Sequence, residues 1–541
     1  MTVSGMRART RGILESPVYP VLLAAYFPLH LMADNPSLFP VSDLLRPLGV
    51  VVAAALLTLL LAAAVLRDRH RAALWSALGL GLVCFFFPLQ ALFDAATRAA
   101  IGLSFSGTVR LVALTVLFAI AGSLIRPGAT FTKVANVVAA TMLVLPVLTL
   151  ARDELAMGRA TAAVEADAEV RNRGLFDATA AVAERPSIVH IVLDGYARQD
   201  VLRDVYGFDN SAFLDALRAR GFAIAEEATT PYNQTLLVMN SVFSARYVRE
   251  SLPGHPLDPD LFRRILSHRL QVNEVIRTLS ALGYQTAATE VDYSPMRLDR
   301  VDRFFGFGGI VLTNFEKAAF GQTAMALFAW QLSGGTGETI RTVFATPHHR
   351  HLDTPYFLYL HVIGPHPPFD VDRHGNPVDP ARYRNVADGN PDLPRDPALQ
   401  RAYRAGYVEK LRFVNGQVLA YFDRLLVELP EPKVVILHGD HGGGLYLDQR
   451  DAAATCLRER FSPLLAVYSS DGRLQRALPA DLNLVNLYRV VFNVLFAADL
   501  PLQPSRSFFA LWSRPDRFLP LSPAQIRAPC AVGGAAGGPV P

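Results

Sequence analysis

Five apolar stretches crowd the first 151 residues, near 14–33, 46–66, 72–93, 109–125 and 132–151. Each is about the 20 residues that a helix needs to cross a hydrocarbon core. Lipid cannot satisfy an open backbone, so the stretches are expected as helices. Residues 1–151 therefore read as a transmembrane domain of about five helices. The first stretch could also be a signal peptide. No small-residue cleavage site follows it and four more spans do, so it reads as an uncleaved span. The whole chain agrees: 51% of its residues are apolar and the mean hydropathy is +0.24.

Basic residues in short loops set the orientation of such a bundle. Arg7, Arg9 and Arg11 precede the first stretch. Arg67, Arg69 and Arg71 lie in the second loop, and Arg126 and Lys133 in the fourth. The alternate loops carry only Arg46, Arg98 and Arg110. The bias puts the amino terminus in the cytoplasm. Everything after residue 152 then lies on the extracytoplasmic side, periplasmic in a bacterial-type inner membrane. The spans hold almost no ionisable residues, which transporters usually need at membrane depth. They read as an anchor, with a lipid-guiding groove as the alternative. The net charge of +4 is spread over both signs and implies no nucleic-acid partner. Of three cysteines, Cys84 sits in an apolar run, and Cys456 and Cys530 could pair in an oxidising compartment.

Residues 152–186, rich in Ala, Glu and Arg, read as a juxtamembrane helix and linker. From 187 to 503 short apolar runs alternate with amphipathic helical patterns. The runs include "SIVHIVL", "FAIAE", "YQTAAT", "YFLYLHV", "VVILH" and "LLAVYS"; the helices are expected near 210–220, 260–282 and 400–428. Such alternation predicts an α/β domain with a mostly parallel central sheet and helices on both faces. Residues 504–541 are expected as an extension ending in a loose tail, "AVGGAAGGPVP".

In parallel sheets, ligands gather at the carboxyl ends of strands. Three such ends carry chemistry. "SIVHIVLDGY" ends in Asp194-Gly195, "YFLYLHVIGPHPPF" holds His361 and His366, and "VVILHGDHGGG" ends in Asp440-His441. Singly, each reads as a turn. Together they bring two aspartates and one to three histidines to one sheet edge. Buried carboxylates are costly without partners, and a divalent metal resolves that cost. Oxygen and nitrogen ligands of this kind suit zinc, manganese or magnesium. A fourth piece is "TTPYNQTLLVMNSVFSARYV", residues 229–248, where Thr235 begins a helix. A threonine there is commonly an N-cap. Its hydroxyl also faces the positive end of the helix dipole, where phosphate binds. Arg246, further down that helix, could clamp a phosphate or equally serve on the surface. The apolar stretch 315–332 could touch lipid or pack in a core.

These four pieces, in this order, resemble the alkaline phosphatase/sulfatase superfamily. The membrane-anchored branch is most similar, namely lipoteichoic acid synthases and phosphoethanolamine or phosphoglycerol transferases. The resemblance covers roughly 185–500. It implies that Asp194, Thr235, Asp440 and His441 are metal ligands, with Thr235 also the nucleophile and His366 the histidine at the substrate head group. His361 and His438 have no firm counterpart and could build a second metal site or simply pack; His361 is kept as a substrate-binding candidate. One ion is expected rather than two. Sulfatases need Cys or Ser in a C/S-x-P-x-R motif, and none lies near Thr235.

The resemblance implies transfer or hydrolysis of a phosphodiester through a phospho-threonine. The donor would be a phospholipid and the acceptor an envelope glycan or lipid. Two other readings stand beside it: sulfate-ester hydrolysis, and an inactive binding module in envelope polysaccharide assembly.

Overall fold

The computed structural model describes residues 15–103, 105–170, 175–176, 184–250, 258–306, 312–329, 335–383 and 385–530. The chain divides into two compact units. One holds residues 1–158 with 312–333; the other holds 159–311 with 334–541.

The first unit is helical. Among the described residues, three helices are long and apolar enough to cross a membrane: Val41–Leu66, Gly107–Leu124 and Ala129–Glu165. The expected span over 72–93 is not one helix. It is Arg69–Cys84 followed by Phe86–Ile101, bent by 83°. Pro88 explains the break. It has no N–H to give the carbonyl four residues back, that of Cys84, and its ring clashes there. Counted as one span, the pair makes four. The first expected span forms the 16-residue helix Tyr19–Asp34. The last span runs on into the expected juxtamembrane helix as one element, Ala129–Val170; most of 171–183 lies outside the described residues.

The stretch 315–332 joins this helical unit. Phe315 packs with Met32, Leu44 and Leu150, and Ala324 packs with Leu82, Phe86 and Leu114. The helix Asn314–Gly321 opens with a Thr313/Glu316 capping box. Glu316 also pairs with Arg46. Core packing thus describes Phe315 and Ala324, while Met325 is exposed.

The second unit is an α/β domain. Its strands are β1 (Ser187–Leu193), β2 (Ala223–Ile224), β3 (Gln285–Thr289), β4 (Arg303–Phe305), β5 (Tyr356–Val362), β6 (Lys433–His438), β7 (Leu465–Ser469), β8 (Ser507–Leu511) and β9 (Arg514–Leu521). The first seven form one sheet in the order β2-β7-β6-β1-β5-β3-β4. Only β7 runs against its neighbours. Strands β1, β5 and β6 are buried throughout, as strands covered on both faces should be. The sheet carries one apolar cluster on each face. The expected helix 260–282 is two helices, Pro259–Gln271 and Glu274–Ala281, the second capped by Asn273.

The expected extension from 504 is ordered as far as Cys530. Strands β8 and β9 form a hairpin, Ser522 caps the helix Pro523–Arg527, and Cys530 is bonded to Cys456. Residues 531–541, the "AVGGAAGGPVP" tail, lie outside the described residues.

Candidate metal and phosphoryl-transfer site

The order β6-β1-β5 puts the three expected strand ends side by side. Register explains the rest. Val192 on β1 pairs with His361 on β5 and with His438 on β6. The period of two aims Ile188, Val192, Phe357, Tyr359, Val434 and Ile436 into one cluster. Leu236, Leu237, Val238, Met239 and Val242, from the helix that Thr235 begins, belong to the same cluster. The Thr235 helix therefore covers the sheet face on which the histidines stand.

Ligand atoms of Asp194, Asp440 and His441 lie within 4.8 Å of one another, all buried. His441 Nδ1–H donates to the Gly442 carbonyl at 2.8 Å, which leaves the Nε2 lone pair facing the carboxylates. That Nε2 is 3.1 Å from Asp440 Oδ2 and 3.8 Å from Asp194 Oδ1. Thr235 Oγ1 is 3.1 Å from the same nitrogen. Thr235 is the first helical residue after the N-cap Gln234, so its hydroxyl is not spent on capping. Asp194 Oδ1 and Asp440 Oδ2 are buried with no hydrogen-bond donor. Two carboxylate oxygens without donors, one neutral imidazole and one hydroxyl fit a divalent cation. Burial works against ionising Asp194. The nearby His366, His361 and His441 outweigh it and hold the carboxyl below its ordinary range.

Glycines make the close approach possible. Gly195 has φ +73°, and a Cβ there would meet the His366 Cβ at 3.2 Å. Its N–H donates to Asp440 Oδ1 at 3.0 Å. A Cβ on Gly442 would lie 1.9 Å from the Glu459 carbonyl oxygen. On Gly443 it would lie 1.8 Å from the Tyr206 hydroxyl, and on Gly444 it would lie 2.4 Å from the Asp388 carboxylate. The three-glycine run exists so that these polar groups can press on the metal-site backbone.

His366 is brought to the site by its backbone N–H, which donates to the Asp194 carbonyl at 3.0 Å. Fully buried Lys410 holds its loop by donating to the His366 and Pro368 carbonyls, each at 2.9 Å. Nδ1–H donates to the Pro367 carbonyl, and Nε2 stands 3.3 Å from Asp388 Oδ2. Burial alone would lower the His366 pKa. The Asp388 and Asp194 carboxylates more than offset this and push it up to about 9.

A family model described as Sulfatase matches residues 186–492, more than half of the chain. The chain belongs to the sulfatase family. No curated protein matches it. Among solved structures, this sulfatase-family chain is similar to the C-terminal periplasmic domain of EcEptC from Escherichia coli. Identity is 10% over 64% of this chain and 94% of that one, with a TM-score of 0.39. It is similar to the integral membrane lipooligosaccharide phosphoethanolamine transferase A from Neisseria meningitidis. Identity there is 14% over 89% and 95%, with a TM-score of 0.37. A protein of glycosaminoglycan metabolism from Bacteroides thetaiotaomicron is 15% identical over 59% and 74%, with a TM-score of 0.36.

The structure chooses between the open readings of Arg246 and His438. Arg246 is not at the site. It is exposed and follows the C-terminal end of the helix Thr235–Ser244. The ten-residue helix is about 15 Å long, and Arg246 lies beyond the end opposite Thr235. His438 is neutral packing, not a free ligand. Tyr488 O–H donates to His190 Nδ1, His190 Nε2–H donates to His438 Nε2, and His438 Nδ1–H donates to the Gly439 carbonyl, each at 2.8 Å. His361 stands 3.5 Å from Asp194 Oδ2, with Tyr359 O–H 2.9 Å from its Nδ1.

Sequence reading missed Asp388 and Arg460. Both are buried near the metal-ligand cluster and line a cavity of about 620 Å³ shared with Asp194, Thr235 and His366. It missed the hairpin too. Asn233 and Ala510 exchange two hydrogen bonds, at 3.0 and 2.8 Å, which fix the backbone entering Thr235. No local pattern marked any of these, because their partners lie far away in sequence.

Proposed function

We propose that the outer unit moves a phospho-head-group from a lipid phosphodiester to a hydroxyl of an envelope glycan or lipid, on the extracytoplasmic side of the membrane. The observation that carries this reading is the approach of Thr235 Oγ1, at a helix amino terminus, to His441, whose ring nitrogen clusters with the donor-free oxygens of Asp194 and Asp440. Asp194, Asp440, His441 and Thr235 would hold the cation, zinc or manganese, with magnesium also open. When bound, such an ion lowers the pKa of a hydroxyl and stabilises charge developing on phosphoryl oxygens. One ion is favoured over two, because among the described residues only one cluster offers three ligands. His438 spends its lone pair on His190.

The chain's own groups then divide the work. Thr235 Oγ1 attacks phosphorus, and its proton leaves to water. The bond from phosphorus to the lipid alcohol breaks with its electron pair. His366 Nε2–H protonates the departing oxygen. In the second half, the acceptor hydroxyl attacks the phospho-threonine and its proton returns to His366. The threonine oxygen leaves and takes a proton from water. Leu236, Leu237, Leu266, Ile363 and Trp512 line the cavity and give the reacting group an apolar wall beside the water that carries its protons.

Sulfate-ester hydrolysis is the second reading, favoured by family membership alone. A threonine where the family's aldehyde precursor would stand as Cys or Ser argues against it.

The test uses full-length chain taken from its native membrane. Intact-mass and peptide analysis should find a phosphate-bearing adduct on Thr235 that Thr235→Ala lacks. Purified protein with manganese or zinc should turn over a chromogenic phosphodiester and leave an aryl sulfate nearly untouched. Wild type and Thr235→Ala being equally inert with every metal would overturn the reading.

A further inference from the structure

Arg460 is a buried cation beside the metal-ligand candidates, and its guanidinium hydrogen bonds go to groups around the site. It sits on the helix Leu457–Phe461 and is 4% exposed. Nε–H donates to the Asn233 carbonyl at 2.8 Å, just before Thr235. Nη1 donates to Asp388 Oδ2 at 2.7 Å, with the Gly442 and Gly443 carbonyls at 3.4 and 3.5 Å. Nη2 donates to His441 Nε2 at 3.0 Å.

The last contact creates a conflict. His441 Nε2 has one lone pair, because Nδ1 carries the proton given to Gly442. That pair cannot both accept from Arg460 and bind a cation. Arg460 never loses its charge, so it also repels a cation arriving at the carboxylates. Nη1 and Nε stay anchored by Asp388 and Asn233 whatever Nη2 does. Nη2, once displaced from His441, is left in the cavity beside Thr235 with N–H groups and no acceptor. A tetrahedral oxyanion supplies that acceptor and screens the two positive charges from each other.

Resting on the reading that Asp194, Asp440 and His441 hold a divalent cation, we infer that Arg460 makes metal and phosphoryl anion bind interdependently. Arg460 contests the metal's lone pair while the cavity lacks an anion, and clamps a phosphoryl oxygen once one arrives. Asp388 is the positioning residue, since it holds Nη1 of Arg460 and faces His366 from the same oxygen. The site then assembles fully only on its substrate.

The experiment is a titration of detergent-purified full-length chain with manganese(II) and, separately, zinc(II), with and without inorganic phosphate. Calorimetry reads both ions, and the free-ion spin resonance signal reads manganese. Phosphate should raise metal affinity by about tenfold, and metal should raise phosphate affinity by the same factor, as linkage requires. Arg460→Met should bind metal at least as tightly as wild type when phosphate is absent, and the coupling factor should fall below about two. A residue that merely braced the ligands would do the opposite, and its loss would weaken metal binding in both conditions.

Wild type that binds metal indifferently to phosphate overturns the inference and leaves the proposed function standing. So does an Arg460→Met that keeps the coupling, or one that loses metal affinity without phosphate. Wild type that binds neither ion overturns both. If Arg460→Met does not fold, the wild-type reciprocity decides alone, and Arg460→Lys gives a second reading, with coupling reduced because the fork is gone.

Discussion

Thr235 Oγ1 lies 3.1 Å from His441 Nε2, although 206 residues separate the two in sequence. The contact joins a helix amino terminus to the loop after a central strand. Both ends are held from elsewhere: the Thr235 side by Asn233 on the β8 strand, the His441 side by glycines packed against Glu459 and Tyr206. The proposed nucleophile and the proposed ligand are thus held by groups that have no part in the proposed chemistry.

The glycine run should be intolerant of even one methyl group. A Cβ at Gly442 meets a backbone carbonyl, which cannot rotate away. Gly442→Ala is expected to destabilise the outer unit by more than about 3 kcal/mol, or to abolish metal binding if it folds. Chemical denaturation and metal content of the purified variant check this.

The His190–His438 pair should prove structural. Tyr488→Phe removes the donor to His190 Nδ1. The loss is expected to cost about 1–2 kcal/mol of stability and to leave the number of bound metal ions unchanged. A drop in metal content would return His438 to the list of ligands.

The disulfide should matter for stability. Cys456 begins the helix that carries Arg460, and its bond to Cys530 closes a loop spanning 74 residues. A loop of that length constrains the unfolded chain by about 4 kcal/mol in the entropy model. Denaturation midpoints with and without reductant, compared in wild type and Cys530→Ser, measure it. Reductant should destabilise wild type and leave the variant unchanged.

Acid should weaken the outer unit partly through Asp200. Burial alone would raise its pKa, but hydrogen bonds and charge from Arg198 and Arg458 bring it down to about 2. A depressed folded value means the contribution is present in full above the unfolded value, about 3.9. It is then lost as pH falls toward 2. Asp200→Asn should flatten the slope of stability between pH 4 and pH 2, and equal slopes would count against the pairing.

The amino-acid sequence by itself determined the parts whose cause is local. Apolar length marked the helical unit, and unbroken apolar runs marked β1, β5 and β6. The polar residues that end those runs, Asp194, His366, Asp440 and His441, stood out because buried strands seldom stop on charge. The break at Pro88 was present in the sequence, but a hydropathy run hides it, since Phe85, Phe86, Phe87 and Leu89 around it keep the average high. Tertiary structure alone decided what faces those residues. Asp388 lies in a loop and Arg460 on a short helix, and neither has a period or motif. Arg246 looked better placed than Arg460 because it is near Thr235 along the chain. A helix, however, carries its far end away at a fixed rise, while a distant segment can fold back to 3 Å. The hairpin of 507–521 was lost for the same reason, because its strand signals are short and its role is to grip Asn233, hundreds of residues earlier. Local free energies write the elements into the sequence. Which elements meet is settled by the packing of the whole domain, and the site is made of those meetings.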